Sequence, residues 1–129
     1  MGIRAEFRTI PGTQAAEGRS GDSVVIADRP AGVAGGRGTG LNGGQLLALS
    51  IGGCLSNDVR YVAADQGVEL DDVAVDVDLV VEDGRVTSAD VAIRLTAAAD
   101  VDVDAVVARA VEISTVLAAV RSGFPVSVS

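Results

Sequence analysis

The stretch 46–55 most restricts how this chain can fold, because nearly all of its residues are apolar. Asn42 is of a type that commonly caps the beginning of a helix, and Gly67 is of a type that commonly ends one. The pattern therefore predicts a long helix from about 42 to 66. A helix that is apolar on nearly all sides is buried on nearly all sides. We expect its first half to be covered all round and residues 56–66 to emerge toward solvent.

Two adjacent glycines, Gly52 and Gly53, lie inside this predicted helix, where each costs about 1 kcal/mol relative to Ala. We expect the close approach of another backbone or helix to compensate. The apolar stretch is also only about half as long as the roughly 20 residues that a membrane span requires. The first residues alternate polar and apolar side chains and lack the apolar core of a signal peptide. We therefore expect a protein that makes no use of a membrane, and the single Cys, which cannot form an internal disulfide, predicts a cytoplasmic one.

The remaining elements follow from changes in hydrophobic period. Alternating apolar residues predict a strand over 73–81, the turn Asp83-Gly84 predicts a hairpin, and the return strand runs near 86–95. Apolar residues at helical spacing predict a second helix from about 102 to 119. Three further strands are predicted near the N-terminus and one at the C-terminus, at 3–9, 15–20, 23–28 and 124–129. The order predicts one α+β domain spanning 1–129, with a strongly curved antiparallel sheet packed on the long central helix and the second helix.

Composition and charge exclude several classes of function. The net charge is −8, and all ten basic residues are Arg. They form no cluster, which argues against nucleic acid and against docking on anionic membranes. Only 2% of the residues are aromatic, so the core must be filled by short aliphatic side chains that bury little area each. Association with a second copy would relieve this limit, and we expect a homo-oligomer.

The chain contains no His and a single Cys, Cys54. Ser-His-Asp triads, Cys-His pairs, and zinc sites built on His or several Cys are therefore excluded. Cys54 is the only strong nucleophile, and a free thiol has a pKa of about 8.5 and reacts as its thiolate. An Arg from elsewhere would be the effective activator, and Arg8, Arg19 and Arg37 are candidates. The alternative that Cys54 is an inert core residue stays open, because free Cys is commonly buried as a small hydrophobe.

Three polar residues follow Cys54 at helical spacings: Asn57, Asp58 and Tyr61. They either line a pocket beside the thiol or mark where the helix meets water. Other carboxylates lack the ligand pattern of a metal site. We expect neither a metal nor a cofactor.

The loop 30–44 is rich in glycine but matches neither the phosphate-binding loop nor the dinucleotide fingerprint. It predicts a mobile surface loop or an arm that contacts a second copy. A partner-binding role for residues 35–44 in a purely structural domain is a third interpretation of the chain's function.

The segment from Gly35 to Leu55 resembles the OsmC/Ohr family, in which a glycine loop leads to an Asn-Pro-Glu-like cap, a Leu-Leu-rich helix and an Ala/Gly-Cys segment. The segments 67–73 and 114–128 are similar to the family's helix exit and closing region. The resemblance implies an intertwined homodimer with a central helix pair and two sites at the subunit interface. It also implies that the helix cysteine, matched by Cys54, reduces organic hydroperoxides to alcohols and becomes a sulfenic acid.

Two departures from that pattern change the expected chemistry. The family's second cysteine is matched by Val111, with Ser114 matching a serine, so no resolving thiol is present. The Glu of the cap motif is replaced by Gly44, and the activating Arg has no clear counterpart beyond Arg8 or Arg19. The sequence thus predicts an oxidative-stress protein that reduces hydroperoxides through Cys54 with an external thiol as resolver. The alternative is a non-catalytic dimer that binds a small apolar ligand at the subunit interface.

Overall fold

The computed structural model describes all residues, 1–129, as an α+β chain of five strands and three helices. The chain forms two compact units, 1–46 and 47–129. Where one curved sheet was predicted, the chain has two separate antiparallel sheets. None of the three helices combines the length and the hydropathy needed to cross a membrane.

The N-terminal unit contains a three-stranded sheet in the order β1-β2-β3. The strands are β1 (Glu6–Thr9), β2 (Ala16–Ser20) and β3 (Ser23–Ala27). All three predicted N-terminal strands are present, with ends that differ by a few residues.

The glycine-rich loop after β3 is held by hydrogen bonds, in contrast to the predicted mobile loop. The Asp28 backbone N–H donates to the carbonyl of Leu41 at 3.1 Å, and Leu41 N–H donates to the carbonyl of Ile26 at 2.8 Å. The Asp28 carboxylate also accepts the backbone N–H groups of Arg37 and Thr39. The loop therefore folds around one buried side chain.

Helix α1 (Gly43–Gln66) matches the predicted helix almost residue for residue. The Asn42 side chain accepts the Gln45 N–H at 2.8 Å, and the Gln45 side chain accepts the Asn42 N–H at 2.9 Å. This reciprocal arrangement is a capping box. The helix ends at Gln66, and Gly67 after it has φ +68°, a conformation that favours glycine.

The hairpin pairs β4 (Asp72–Glu82) with β5 (Arg85–Thr96). Asp83 and Gly84 have φ values of +51° and +76°, as a tight turn between antiparallel strands requires. The predicted hairpin is confirmed.

The second predicted helix is wrong as a single element, because the chain has two helices there. They are α2 (Val103–Ile113) and α3 (Thr115–Ser122), separated by Ser114 in an extended conformation at φ −63° and ψ 113°. The Ser114 side chain accepts the Leu117 N–H at 3.3 Å and caps α3.

The predicted strand over 124–129 is also absent, and its apolar side chains are exposed. These residues form no backbone hydrogen bonds with a neighbouring strand, and a β-strand requires such a partner.

Two apolar clusters form the core of the C-terminal unit. One contains Val59, Val62, Ala63, Leu70, Val106 and Ala110. The other contains Ile51, Leu55 and Leu117.

The first half of α1 is not covered all round as predicted. Leu49 is 58% exposed, and the neighbouring Gly53 is exposed too. A Cβ placed at Gly52 would lie 3.2 Å from the Val77 Cγ2 atom, whereas one placed at Gly53 would meet nothing within 4 Å. The hairpin therefore covers the Gly52 side of the helix and leaves the Leu49 and Gly53 side open.

Candidate thiol site

Cys54 lies in the middle of α1 and is half-buried. Its helix neighbours Ile51 and Leu55 are fully buried in the apolar core. Two polar groups contact its sulfur, Asp58 and Ser114. The thiol therefore lies beside an aliphatic core but has polar partners of its own.

Asp58 follows Cys54 by one helical turn, the separation at which two side chains on a helix meet. The Cys54 thiol donates to Asp58 Oδ2 at 3.3 Å. Asp58 is only 7% exposed, and no Arg of the C-terminal unit forms an ion pair with it. Its carboxylate is therefore buried with a thiol as its hydrogen-bond partner.

Ser114 comes from the break between α2 and α3, and its Oγ lies 3.6 Å from the Cys54 sulfur. The residue is 2% exposed. Its oxygen already accepts the Leu117 N–H, and the only proton of the thiol is directed at Asp58. The Ser114 hydroxyl proton is therefore the one available to the sulfur.

The structure brings only part of the predicted site together. Asp58 contacts the thiol as proposed for a pocket residue, but Asn57 is exposed and contacts neither Cys54 nor Ser114. Tyr61 is 67% exposed and lines a separate shallow depression beside α2.

The three candidate arginines lie in the N-terminal unit. Arg8 donates to the carbonyl of Phe7 at 2.9 Å, and Arg19 pairs with Glu17 at 2.7 Å. Arg37 contributes its backbone N–H to Asp28. Each of these contacts lies within the N-terminal unit, and activation of the thiol by one of the three arginines stays a prediction.

The match of Val111 to the family's second cysteine does not fit the geometry. Val111 packs against the cluster of Ile51, Leu55 and Leu117, whereas Ser114 faces the sulfur. The two residues are three apart, but the helix break at Ser114 turns its side chain toward Cys54. Sequence reasoning missed Ser114 as a site residue, although a Ser three residues before a buried Leu is a recognisable helix cap.

A cavity of about 580 Å³ lies in the C-terminal unit, between β5 and the helices. It is lined mainly by aliphatic side chains, with hydroxyls of two residues and one guanidinium. Cys54 is not among the lining residues, which are Ile51, Leu55, Thr87, Ser88, Ala89, Val91, Ile93, Val107, Val111, Leu117, Val120 and Arg121.

Solved structures with the same fold come from several bacteria. An organic hydroperoxide resistance protein OsmC from Legionella pneumophila is 21% identical, with a TM-score of 0.65 over 95% of this chain and 90% of its own. An OsmC-like protein from Mycoplasma pneumoniae is 8% identical, with a TM-score of 0.78 over 95% and 89%. The organic hydroperoxide resistance protein OhrB of Bacillus subtilis is 24% identical, with a TM-score of 0.61 over 95% and 93%.

These identities support the fold and go no further. No curated protein matches the sequence. The model of the OsmC-like protein family matches residues 36–129, which include α1 with Cys54 and the break at Ser114. That match covers well over half of the chain, and the chain belongs to the OsmC family.

Proposed function

We propose that this chain is a thiol-dependent reductase of organic hydroperoxides that acts through Cys54 in the response to oxidative stress. The observation that carries the proposal is the polar environment of one sulfur atom. Cys54 is half-buried against an aliphatic core, yet it contacts the carboxylate of Asp58 and the hydroxyl of Ser114. A cysteine that serves only as a small core residue has no need of two buried polar neighbours.

The reaction is a transfer of one oxygen atom to sulfur. The Cys54 sulfur attacks the terminal peroxide oxygen, the S–O bond forms and the O–O bond breaks, and the products are a sulfenic acid and an alcohol. The sulfur is oxidised by two electrons and the peroxide bond is reduced. The aliphatic residues beside the thiol favour a substrate with an apolar organic group over hydrogen peroxide.

The sulfenic acid has to be resolved by a thiol from outside the chain, because Cys54 is the only cysteine. One low-molecular-weight thiol condenses with the sulfenic acid and releases water, and a second one reduces the mixed disulfide. Such a cycle requires a compartment rich in reduced thiols, which agrees with our expectation of a cytoplasmic protein.

We also propose a homodimer that buries the open side of α1. Leu49 is 58% exposed there, and Gly53 leaves room for a close approach. The family resemblance implies a pair of central helices in the same position. A small core made of short aliphatic side chains would gain apolar burial from this contact.

The test is consumption of an organic hydroperoxide, such as cumene hydroperoxide, in the presence of excess low-molecular-weight thiol. We expect saturable consumption by the parent protein and none above background by Cys54→Ser. Circular dichroism of both proteins controls for folding. Equal consumption by Cys54→Ser would disprove a role for the thiol.

A second candidate function is binding of a small apolar ligand without catalysis, and the cavity of about 580 Å³ favours it. This volume lies within the usual range for ligand pockets, about 300–1,000 Å³. The cavity is formed by residues of the C-terminal unit of a single chain, and a ligand site at the subunit interface stays a prediction. Titration with a medium-chain fatty acid tests it, and Val111→Trp, which fills the cavity, should abolish binding. Binding that persists in this variant would exclude the cavity as the site.

A further inference from the structure

We infer that Asp58 is a second catalytic residue, which takes the proton from the Cys54 thiol and returns it to the departing alkoxide. This inference rests on the proposed reduction of hydroperoxides and names the group that moves the proton in it.

The Asp58 carboxylate lies where it can take the thiol proton directly. Asp58 Oδ2 accepts the thiol proton at 3.3 Å, so transfer of that proton requires no rearrangement of the helix. A base within hydrogen-bond reach of the proton it abstracts satisfies the geometric requirement for general base catalysis.

Asp58 has no cationic partner that would explain its burial. It is more than nine-tenths buried, and burying an ionised carboxylate is unfavourable unless it is paired. Even two exposed carboxylates of the C-terminal unit have a cationic partner, Asp76 with Arg94 and Glu112 with Arg109, whereas the buried Asp58 has none. A thiol is only a weak hydrogen-bond donor. Asp58 is thus poorly explained as a stabilising residue.

With Asp58 as the base, the atoms and protons of the reaction balance. The thiol proton moves to Asp58, the sulfur attacks the terminal oxygen and carries the HO group, and the leaving alkoxide takes the proton from Asp58. The sum is thiol plus hydroperoxide giving sulfenic acid plus alcohol, with Asp58 returned to its starting state. No metal or additional reductant is needed for this half of the cycle.

Ser114 complements this transfer from the other side of the sulfur. Its hydroxyl proton is available to the sulfur at 3.6 Å, and a donor stabilises the negative charge that develops when the thiol proton leaves. At the Cys54 sulfur, the carboxylate therefore accepts the proton and the hydroxyl donates a hydrogen bond.

A different role for Asp58 would change the reaction rate of Cys54 in the opposite direction, which makes the inference testable. If the carboxylate were only a fixed negative charge, it would disfavour the thiolate by repulsion. Removing the charge would then accelerate every reaction of Cys54. Removing a base would instead slow the reaction.

The experiment compares Asp58→Asn with Asp65→Asn in the hydroperoxide assay. Asn keeps the shape of the side chain and removes its capacity to take a proton. Asp65 lies on the same helix two turns further on and is exposed, so its variant controls for the loss of one charge. We expect Asp58→Asn to consume hydroperoxide about 100-fold more slowly than the parent, within the usual range for general base catalysis. Asp65→Asn should stay within about twofold of the parent, as an exposed residue without contact to the thiol should.

A second measurement, alkylation of Cys54 by iodoacetamide between pH 6 and 7.5, separates this inference from the proposed function. Internal proton transfer makes the parent rate nearly independent of pH, whereas Asp58→Asn should depend on hydroxide and rise about tenfold per pH unit. The other charged or titratable groups on the three helices and on the strands of the hairpin are all exposed; they are Arg60, Tyr61, Asp65, Asp72, Asp76, Asp78, Glu82, Arg85, Asp90, Arg94, Asp104, Arg109, Glu112 and Arg121.

The outcomes are distinct. Faster hydroperoxide consumption or faster alkylation in Asp58→Asn would overturn the inference, and so would a parent alkylation rate that rises tenfold per pH unit. The last result needs no variant, so a failure of Asp58→Asn to fold leaves the inference open to disproof. A parent protein that consumes no hydroperoxide but shows the pH-independent alkylation would defeat the proposed function while supporting proton transfer to Asp58.

Discussion

Two aspartates with the same exposure, 7%, have entirely different surroundings. Asp28 accepts the backbone N–H and the hydroxyl of Thr39, and also the backbone N–H groups of Arg37 and Arg29. These hydrogen bonds, the backbone one from Thr39 first, hold the pKa of the Asp28 carboxyl well below its usual value although burial opposes the shift. Asp58 has the thiol of Cys54.

The comparison teaches that burial of a carboxylate does not by itself reveal its role. Backbone N–H groups have a fixed geometry and cannot release their protons, so the Asp28 carboxylate organises the glycine-rich loop. A thiol can release its proton, so a carboxylate that accepts from it can take part in a reaction. We expect substitutions to separate a carboxylate whose hydrogen bonds are fixed from one that can accept a proton in a reaction.

The largest effect is expected from placing a second thiol beside Cys54. Ser114→Cys should form a disulfide with Cys54 when one equivalent of hydroperoxide is added, because the side chains at these positions already touch at 3.6 Å. Mass spectrometry of the intact chain and titration of free thiols measure the loss of two hydrogens and two thiols. Val111→Cys is the control, and a disulfide there but not at position 114 would restore Val111 as the counterpart of the second cysteine.

The second prediction concerns the same substitution at the other buried aspartate, Asp28. Asp28→Asn should lower the urea midpoint, because an amide group cannot satisfy all the donors that converge on this side chain. Its consumption of hydroperoxide per folded molecule should stay within about twofold of the parent, against the roughly 100-fold loss expected for Asp58→Asn. A large loss of activity in folded Asp28→Asn would end the assignment of a purely structural role to this residue.

The third prediction concerns acid. Because the folded state holds the pKa of Asp28 below its unfolded value, the unfolded state binds more protons and stability rises with pH. The contribution of Asp28 is therefore fully present above the unfolded value of about 3.9 and is lost as pH falls through the folded pKa. Urea unfolding of the parent and of Asp28→Asn should show a difference in free energy that shrinks as pH decreases from 5 to 3. A difference that stays constant over this range would contradict the cause assigned to the shift.

Local signals were sufficient to predict much of the fold. Asn42 and Gly67 mark the ends of α1, and the Asp83-Gly84 turn fixes the hairpin, because each of these residues acts on the backbone beside it. The pattern did not reveal the break between α2 and α3, since Ser114 sits at a position of the helical repeat and apolar residues continue at the same spacing on both sides. The spacing of apolar residues indicates which face of a helix is buried. It does not indicate that a single residue within the repeat has a non-helical conformation.

The site was predictable where it depends on one helix and not where it depends on two. Asp58 follows Cys54 by four residues, so helical geometry alone places them together. Ser114 lies 60 residues from Cys54 in the sequence, and only the packing of the helices brings it to the sulfur. The predicted burial of α1 on all sides is not met within the single chain for the same reason, because the hydrophobic pattern shows that a face is buried and not which element or second copy buries it.

The smallest effect, a change in the free energy of unfolding, is expected at the two glycines of α1. One of them packs against the hairpin and the other does not. A Cβ at Gly53 meets no atom within 4 Å, whereas one at Gly52 lies 3.2 Å from Val77 Cγ2. Replacing a helix glycine by Ala stabilises by up to about 1 kcal/mol where nothing opposes it. We therefore expect Gly53→Ala to raise the free energy of unfolding by about this amount at protein concentrations where the chain is monomeric, and Gly52→Ala to raise it by less.

The two variants also examine the proposed dimer, because Gly53 lies on the side of α1 that is open in the single chain. If a second copy packs closely there, an added methyl group at position 53 disturbs the contact, and the same group at position 52 does not reach it. Sedimentation across a concentration series should show weaker dimerisation for Gly53→Ala than for Gly52→Ala. Equal dimerisation of both variants would show that the interface does not include this side of the helix and that Leu49 and Gly53 face solvent.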